Sequence, residues 1–174
     1  MVALLQGAAP EPGGVWADLG AGTGNFTWAL AELLGPAAII YALDRDARAV
    51  AAQQARLLTE PPVAPVVPRQ ADVLRPLALP PLDGLLAANL LHFIADQAGL
   101  LRRLRAQLRP AGRLLIVEYE QTLPIPWMPH PLPFARLAAL APAAGFALPI
   151  QVGTRRSPSS GRILYAAVAS PGVG

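Results

Sequence analysis

The sequence has 174 residues, of which 53% are hydrophobic and 14% charged, and its formal net charge is +3. This length corresponds to about one domain with enough apolar side chains to fill a core. The absence of cysteine and the presence of only two histidines exclude disulfides and a structural zinc centre, so we expect no metal site. No apolar run reaches the ~20 residues of a membrane span, and the small net charge argues against a nucleic-acid partner. We therefore expect a cytoplasmic protein that does not contact a membrane.

The first predicted elements are a strand, a glycine-rich turn and a helix. Val15–Leu19 is an apolar strand, and glycines then stand at alternate positions, Gly20, Gly22 and Gly24, before an amphipathic helix over 23–34. Glycine has no Cβ and tolerates positive φ, so a ligand can lie against bare backbone. The helix aims free N–H groups at the same place. The stretch predicts the first half of a nucleotide-type βαβ unit.

An acidic residue before the turn favours one ligand class over another. Dinucleotide-binding turns have the spacing G-x-G-x-x-G, but Asn25 occupies the position of the last glycine. Asp18 would repel a pyrophosphate, whereas its carboxylate suits a ligand that carries an ammonium and a sulfonium. S-adenosylmethionine (SAM) is such a ligand. A turn that only packs the helix on the strand remains the alternative.

Strands and helices alternate along the rest of the chain. Asp46 and Asp96 are predicted helix caps, and Pro65 and Pro68 predict that the third strand lies at a sheet edge because proline cannot donate to a ladder. The last two strands read as a hairpin around the polar turn Thr154–Gly161. The further predicted strands are 37–43, 63–68, 84–89, 113–119, 145–152 and 162–169, and the further helices are 46–58, 96–109 and 133–144.

The motifs in this order resemble the class I SAM-dependent methyltransferases over nearly the whole chain. The glycine stretch is similar to their first motif, YALDRD to their second and QADV to their third, and LDGLLAANLLHF with LRRLRAQLRPAGRLLIVEYE to their fourth and fifth strands. The resemblance implies one domain over 1–174, with 1–14 as a short N-terminal extension. It implies an α/β fold, a Rossmann-like three-layer sandwich. Its seven-stranded, mostly parallel sheet has an antiparallel last strand and the order 3-2-1-4-5-7-6.

The resemblance also implies SAM as the cofactor and a set of residues that bind it. Asp44 would accept hydrogen bonds from the ribose hydroxyls, and Asp72 with the Val73 N–H would bind the adenine. Asn89 ends the fourth strand, at the edge where ligands bind in such folds. The full predicted set is Asp18, Gly20, Ala21, Gly22, Gly24, Asp44, Arg45, Asp72, Val73, Asn89 and Leu90.

Three residues near the same edge are candidates for catalysis: His92, Tyr119 and His130. His92 follows the fourth strand by three residues and is a candidate general base, although a histidine packed over the adenosine or in the core is an equal interpretation. Tyr119 ends the fifth strand between Glu118 and Glu120, one of which could reach the substrate.

The sequence therefore predicts transfer of a methyl group from SAM to a small-molecule acceptor. A non-catalytic SAM-binding protein and a NAD(P)-dependent oxidoreductase remain alternatives, and the oxidoreductase predicts a parallel last strand. A nucleic-acid methyltransferase is disfavoured because residues 89–92 lack the aromatic-proline motif expected for base modification. A homodimer is left open, since a second subunit could complete a site that the short N-terminal segment covers poorly.

Overall fold

A single seven-stranded sheet organises the protein. The computed structural model describes residues 1–8, 11–158 and 160–172, and the strand order is β3-β2-β1-β4-β5-β7-β6. The strands are β1 (Gly14–Leu19), β2 (Ala38–Asp44), β3 (Val66–Gln70), β4 (Leu82–Ala88), β5 (Leu108–Tyr119), β6 (Ile150–Arg156) and β7 (Ile163–Ala169). Neighbouring strands from β3 to β5 are parallel, whereas β7 runs antiparallel to both β5 and β6. The predicted fold class and order are confirmed, and the last strand is not the parallel one that the oxidoreductase alternative requires.

Helices cover both faces of the sheet and make the three predicted layers. Leu4, Leu30 and Leu34 pack against one face, and Leu100 and Leu137 pack against the other. The helices are α1 (Val2–Gln6), α2 (Asn25–Leu34), α3 (Ala47–Thr59), α4 (Gln97–Gln107) and α5 (Phe134–Leu140), and 3₁₀ turns span Leu91–Phe93 and Pro142–Ala144. None of the helices in the described residues is long and apolar enough to cross a bilayer.

Polar side chains begin two of these helices as predicted. Asp46 accepts a hydrogen bond from the Arg48 N–H at 2.8 Å, and Asp96 accepts one from the Gly99 N–H at the same distance. Each bond satisfies one of the backbone donors that the first helical turn leaves without a partner. The Asp46 cap leaves the neighbouring Asp44 carboxylate available for another role.

The two outer strands differ in how well the sequence predicted them. β3 is an edge strand that contains Pro68, as expected. The prediction for β6 is wrong, because the strand begins at Ile150 rather than at residue 145 and continues to Arg156. Gly145 ends a 3₁₀ turn with φ +86°, and Phe146 forms only an isolated bridge. Arg155 and Arg156 were assigned to a turn, yet they pair with β7, because the outer side of an edge strand tolerates charge.

Candidate active site

The glycine turn between β1 and α2 exposes bare backbone. Gly20, Gly22 and Gly24 all have positive φ, at +65°, +55° and +88°. A Cβ at Gly22 would meet no atom within 4 Å, so one side of this residue is open. Gly24 has a different role, since its Cα lies against the Trp28 ring and it caps α2. The turn therefore offers a surface that a ligand can approach without contacting a side chain.

Two side chains hold the middle of this turn. The Gly22 N–H donates to Asp44 Oδ2 at 2.8 Å, and the Gly22 carbonyl accepts from Gln53 Nε2 at 2.6 Å. The second oxygen of Asp44 accepts from the Asp46 N–H at 2.9 Å. A carboxylate has about four acceptor positions, so Asp44 can still bind hydroxyl groups of a ligand.

Asp18 is a buried carboxyl group with a free oxygen. It is 1% exposed, its Oδ2 accepts from the Thr27 hydroxyl at 2.6 Å, and its Oδ1 has no hydrogen-bond partner. Burial raises the pKa of Asp18 to about 7; the Thr27 hydrogen bond partly opposes this shift and the nearby Asp44 charge adds to it. A buried acceptor without a donor suits a ligand that brings one, above all a cationic donor.

Two adjacent cavities of about 330 and 300 Å³ lie beside the turn, and both are lined by Gly20 and Asn89. Asn89 is the one described non-glycine residue with positive φ, at +54°, and its side-chain oxygen has no partner. The first cavity also contacts Asp44, Arg45, Asp72, Val73 and Leu90, and the second contacts Asp18, Ala21 and Gly22. All predicted cofactor-binding residues except Gly24 therefore line one of the two cavities.

His92 and Glu118 form a buried pair of side chains in hydrogen-bond contact. His92 Nδ1 lies 2.6 Å from Glu118 Oε2, and the two side chains are 3% and 0% exposed. Glu118 Oε1 accepts from the backbone N–H groups of Leu91 at 2.7 Å and His92 at 3.3 Å. The strands that carry the two residues, β4 and β5, are neighbours, which brings their carboxyl ends together. A histidine oriented by a carboxylate can act as a general base.

The other two catalytic candidates lie around this pair without joining it. The Tyr119 ring centroid is 6.2 Å from that of His92, and Tyr119 is only 9% exposed. Trp127 packs edge to face on Tyr119 at 5.5 Å and is itself exposed. His130 contacts His92 through the backbone, since its N–H donates to the His92 carbonyl at 2.9 Å. The structure therefore brings the three predicted residues together, and of these His92 has an imidazole oriented by a carboxylate. None of the three lines either cavity, and His92 itself is 2% exposed.

Glu118 and Gln53 are the polar residues of the site whose contacts the sequence did not reveal. Glu118 was considered as a group that could reach the substrate, and not as the partner of His92. Its partner lies 26 residues away on a neighbouring strand end, and only the parallel pairing of β4 and β5 signals that contact. Gln53 is one of two adjacent glutamines in α3, and nothing in the sequence distinguishes the buried one.

Comparison with known proteins identifies the family. A family model described as a methyltransferase domain matches residues 17–114, from the second half of β1 through the glycine turn and into β5. The chain belongs to the methyltransferase domain family. Among curated proteins no match was found. The order of the seven strands agrees with this assignment, because it is the order of the class I SAM-dependent methyltransferases, and SAM is the cofactor of that class.

Several solved structures are similar to this methyltransferase. A SAM-dependent methyltransferase from Aquifex aeolicus aligns over 96% of this chain and 87% of its own, with a TM-score of 0.76 and 16% identity. The YcgJ protein from Bacillus subtilis aligns over 99% and 98%, with a TM-score of 0.75 and 15% identity. The Burkholderia thailandensis 1,6-didemethyltoxoflavin-N1-methyltransferase aligns over 99% and 76%, with a TM-score of 0.75 and 24% identity. The TM-scores of these three structures show that they share the fold of this chain.

The residues around the two cavities of this methyltransferase fit SAM. The ammonium of the methionine part needs an acceptor, and the free Asp18 oxygen is a buried acceptor without a donor. The ribose needs a carboxylate near the glycine turn, and the Asp44 carboxylate lies there, where it accepts a hydrogen bond from the Gly22 N–H. The open side of Gly22 leaves room for the chain that joins them.

Proposed function

We propose that the protein transfers a methyl group from SAM to a small-molecule acceptor that loses a proton in the reaction, and that residues 1–174 act as one domain. The observation that carries the proposal is the pair of adjacent cavities beside the glycine turn, with free oxygens of Asp18 and Asn89 at their walls. SAM supplies an electrophilic methyl group on a sulfonium. The protein then has to bind it, position the acceptor and exclude water.

Each cavity suits one end of the cofactor. Asp44 accepts hydrogen bonds from the ribose, and Asp72 and Val73 bind the adenine within the cavity of about 330 Å³. Asp72 is held for this role, because its Oδ1 accepts from the Leu74 N–H at 2.9 Å. Asp18 binds the ammonium in the cavity of about 300 Å³. Arg45 and Leu90 complete the walls of the adenosine cavity.

His92 is the base that removes the proton of the acceptor. An ionised Glu118 carboxylate can only accept, so it selects the tautomer of neutral His92 that carries its proton on Nδ1, 2.6 Å away, and has its lone pair on Nε2. Backbone N–H groups that donate to Glu118 fix the carboxylate, which in turn fixes the imidazole plane. A positioned base of this kind contributes about 10²–10⁴-fold in rate.

A small acceptor fits the surface near the base better than a macromolecule. The net charge is only +3, and two exposed aromatic side chains lie near the base: Phe93 in ring contact with His92, and Trp127 on Tyr119. A similar structure in the same fold, the Burkholderia enzyme, holds the small compound 1,6-didemethyltoxoflavin together with S-adenosylhomocysteine (SAH). Nucleic-acid enzymes require a larger basic surface.

Binding and turnover test the proposal separately. We expect isothermal calorimetry to detect SAM and SAH binding to the purified protein, and NAD to give no heat. Absence of binding at millimolar SAM rejects the proposal. A screen of metabolite pools that follows SAH release by mass spectrometry distinguishes an enzyme from the alternative of a SAM-binding protein without turnover.

The role of the base has its own test once an acceptor is found. Glu118→Gln should lower kcat about a hundredfold and leave the SAH dissociation constant within twofold, because Glu118 orients the base and does not line either cavity. Glu120→Gln is the matched control, since this exposed residue lies two positions away and bonds only the Phe134 N–H at 3.2 Å. Equal activity of the two variants contradicts the assignment of His92 as the base.

A further inference from the structure

Gln53 is a buried amide below the glycine turn. Its side chain comes from the middle of α3, is 0% exposed, and donates from Nε2 to the Gly22 carbonyl at 2.6 Å. Its Oε1 has no partner. An unsatisfied buried acceptor such as this Oε1 normally costs stability, and an apolar side chain at this position would avoid that cost. The bond to the Gly22 carbonyl is therefore the interaction that offsets this cost.

The bond from Gln53 sets the orientation of one peptide unit. In a trans peptide the carbonyl and the following N–H point in opposite directions. Because the Gly22 carbonyl points towards α3, the Thr23 N–H points away from it. Thr23 lines the cavity of about 300 Å³, and no acceptor for its N–H is found in the described part of the chain.

Without this bond, no other hydrogen bond holds the Gly22 carbonyl among the described residues. Gly22 has φ +55° and open space on its Cβ side, and glycine adopts positive and negative φ with similar ease. Asp44 fixes only the N–H side of Gly22. Gln53 therefore fixes the side of the residue that nothing else in the turn holds.

We propose that Gln53 is a positioning residue that sets the affinity for SAM, because it holds the Gly22–Thr23 peptide with its N–H towards the ligand cavity. This inference rests on the proposed function, since it requires the methionine part of SAM to occupy that cavity. It assigns the Thr23 N–H as a donor to the ligand and gives α3 a direct part in cofactor binding. Arg56 of the same helix donates to the next carbonyl of the turn, that of Thr23, at 3.5 Å, and leaves the Gly22 carbonyl to Gln53.

The test is SAH binding by calorimetry to two variants of adjacent residues. Gln53→Met keeps an unbranched side chain of similar volume and removes the donor, so we expect the SAH dissociation constant to rise about tenfold or more. Gln54→Leu is the matched control, because Gln54 is exposed, and its constant should stay within twofold of the unsubstituted protein. Equal affinities for the two variants overturn the inference while leaving the proposed function intact.

A second measurement on the unsubstituted protein does not depend on how the variants fold. The Thr23 amide resonance should shift strongly on saturation with SAH. The amide of Gly24, which donates to the Ala21 carbonyl at 2.9 Å, should shift less. An unchanged Thr23 resonance in the saturated protein overturns the inference, and failure of the unsubstituted protein to bind SAH overturns both the inference and the proposed function.

Discussion

Asp18→Asn tests the claim that a buried, ionisable acceptor faces the ligand cavity. Asn retains the shape and can still accept the Thr27 hydrogen bond, but it carries no charge at any pH. The side chain is 1% exposed, and burial raises the pKa of Asp18 from 3.8 to about 7. In the unfolded chain the same carboxyl group titrates near its ordinary value.

The shift gives both the sign and the size of the effect. A carboxyl whose pKa is raised by folding stabilises the folded state below its unfolded pKa, and this contribution is lost as the pH rises through the folded pKa. A shift of about 3 units at about 1.4 kcal/mol per unit corresponds to about 4 kcal/mol, of which about 3 kcal/mol is lost between pH 5 and pH 8. The ligand-free Asp18→Asn protein does not lose this stability as the pH rises, because Asn does not ionise.

Urea unfolding at pH 5, 6, 7 and 8 measures the difference. The unfolding free energy of Asp18→Asn relative to the unsubstituted protein should rise by about 3 kcal/mol across this range. Asp96→Asn is the control for the Asp-to-Asn change itself, since Asn is an equally good helix cap and Asp96 lies at an exposed position. Parallel pH profiles for Asp18→Asn and the unsubstituted protein would refute the argument from burial.

Three further substitutions test the turn and the core. Asp44→Asn should weaken SAH binding about tenfold or more in calorimetry, since Asn has a single acceptor oxygen whereas both oxygens of Asp44 accept hydrogen bonds. Unchanged affinity removes Asp44 from the ribose site. Gly22→Ala places a Cβ at φ +55°, so urea unfolding should show a loss of about 1 kcal/mol and calorimetry a clear loss of SAH affinity. Tyr165→Phe removes the hydroxyl that donates to the buried Leu132 carbonyl at 2.7 Å, which should lower the unfolding free energy by about 1–2 kcal/mol without changing SAH affinity. A drop in affinity with Tyr165→Phe would place it in the site instead.

The sequence predicted the parts of the site that depend on local order. A parallel sheet places the carboxyl ends of neighbouring strands at one edge, so the residues after each strand meet there. Asp18, Asp44 and Asn89 could be placed on that basis, and the alternate glycines marked the turn. The strand order was implied by the resemblance to the class I methyltransferases, and the structure confirms it.

The parts that the sequence left out depend on contacts between distant elements. Whether Glu118 turns towards His92 or towards solvent depends on side-chain packing, which hydrophobic periodicity does not encode. Gln53 and Gln54 look alike in the sequence, yet Gln53 is buried and Gln54 is exposed. The rotation of α3 about its axis decides which of the two faces the glycine turn. The start of β6 was misplaced because Phe146 and the residues after it are apolar, although they make no continuous ladder.

The two outer strands of the sheet resist pairing with another molecule for different reasons. Pro68 removes a ladder donor from β3, whereas β6 carries Arg155 and Arg156 at one end and the exposed Ile150 at the other. At 0.1 M salt, repulsion between exposed charges is largely screened beyond about 10 Å, and this distance shortens as salt is added. Salt cannot restore a missing N–H group. High ionic strength therefore weakens the protection of β6 alone, and concentrated samples should begin to self-associate from that side of the molecule.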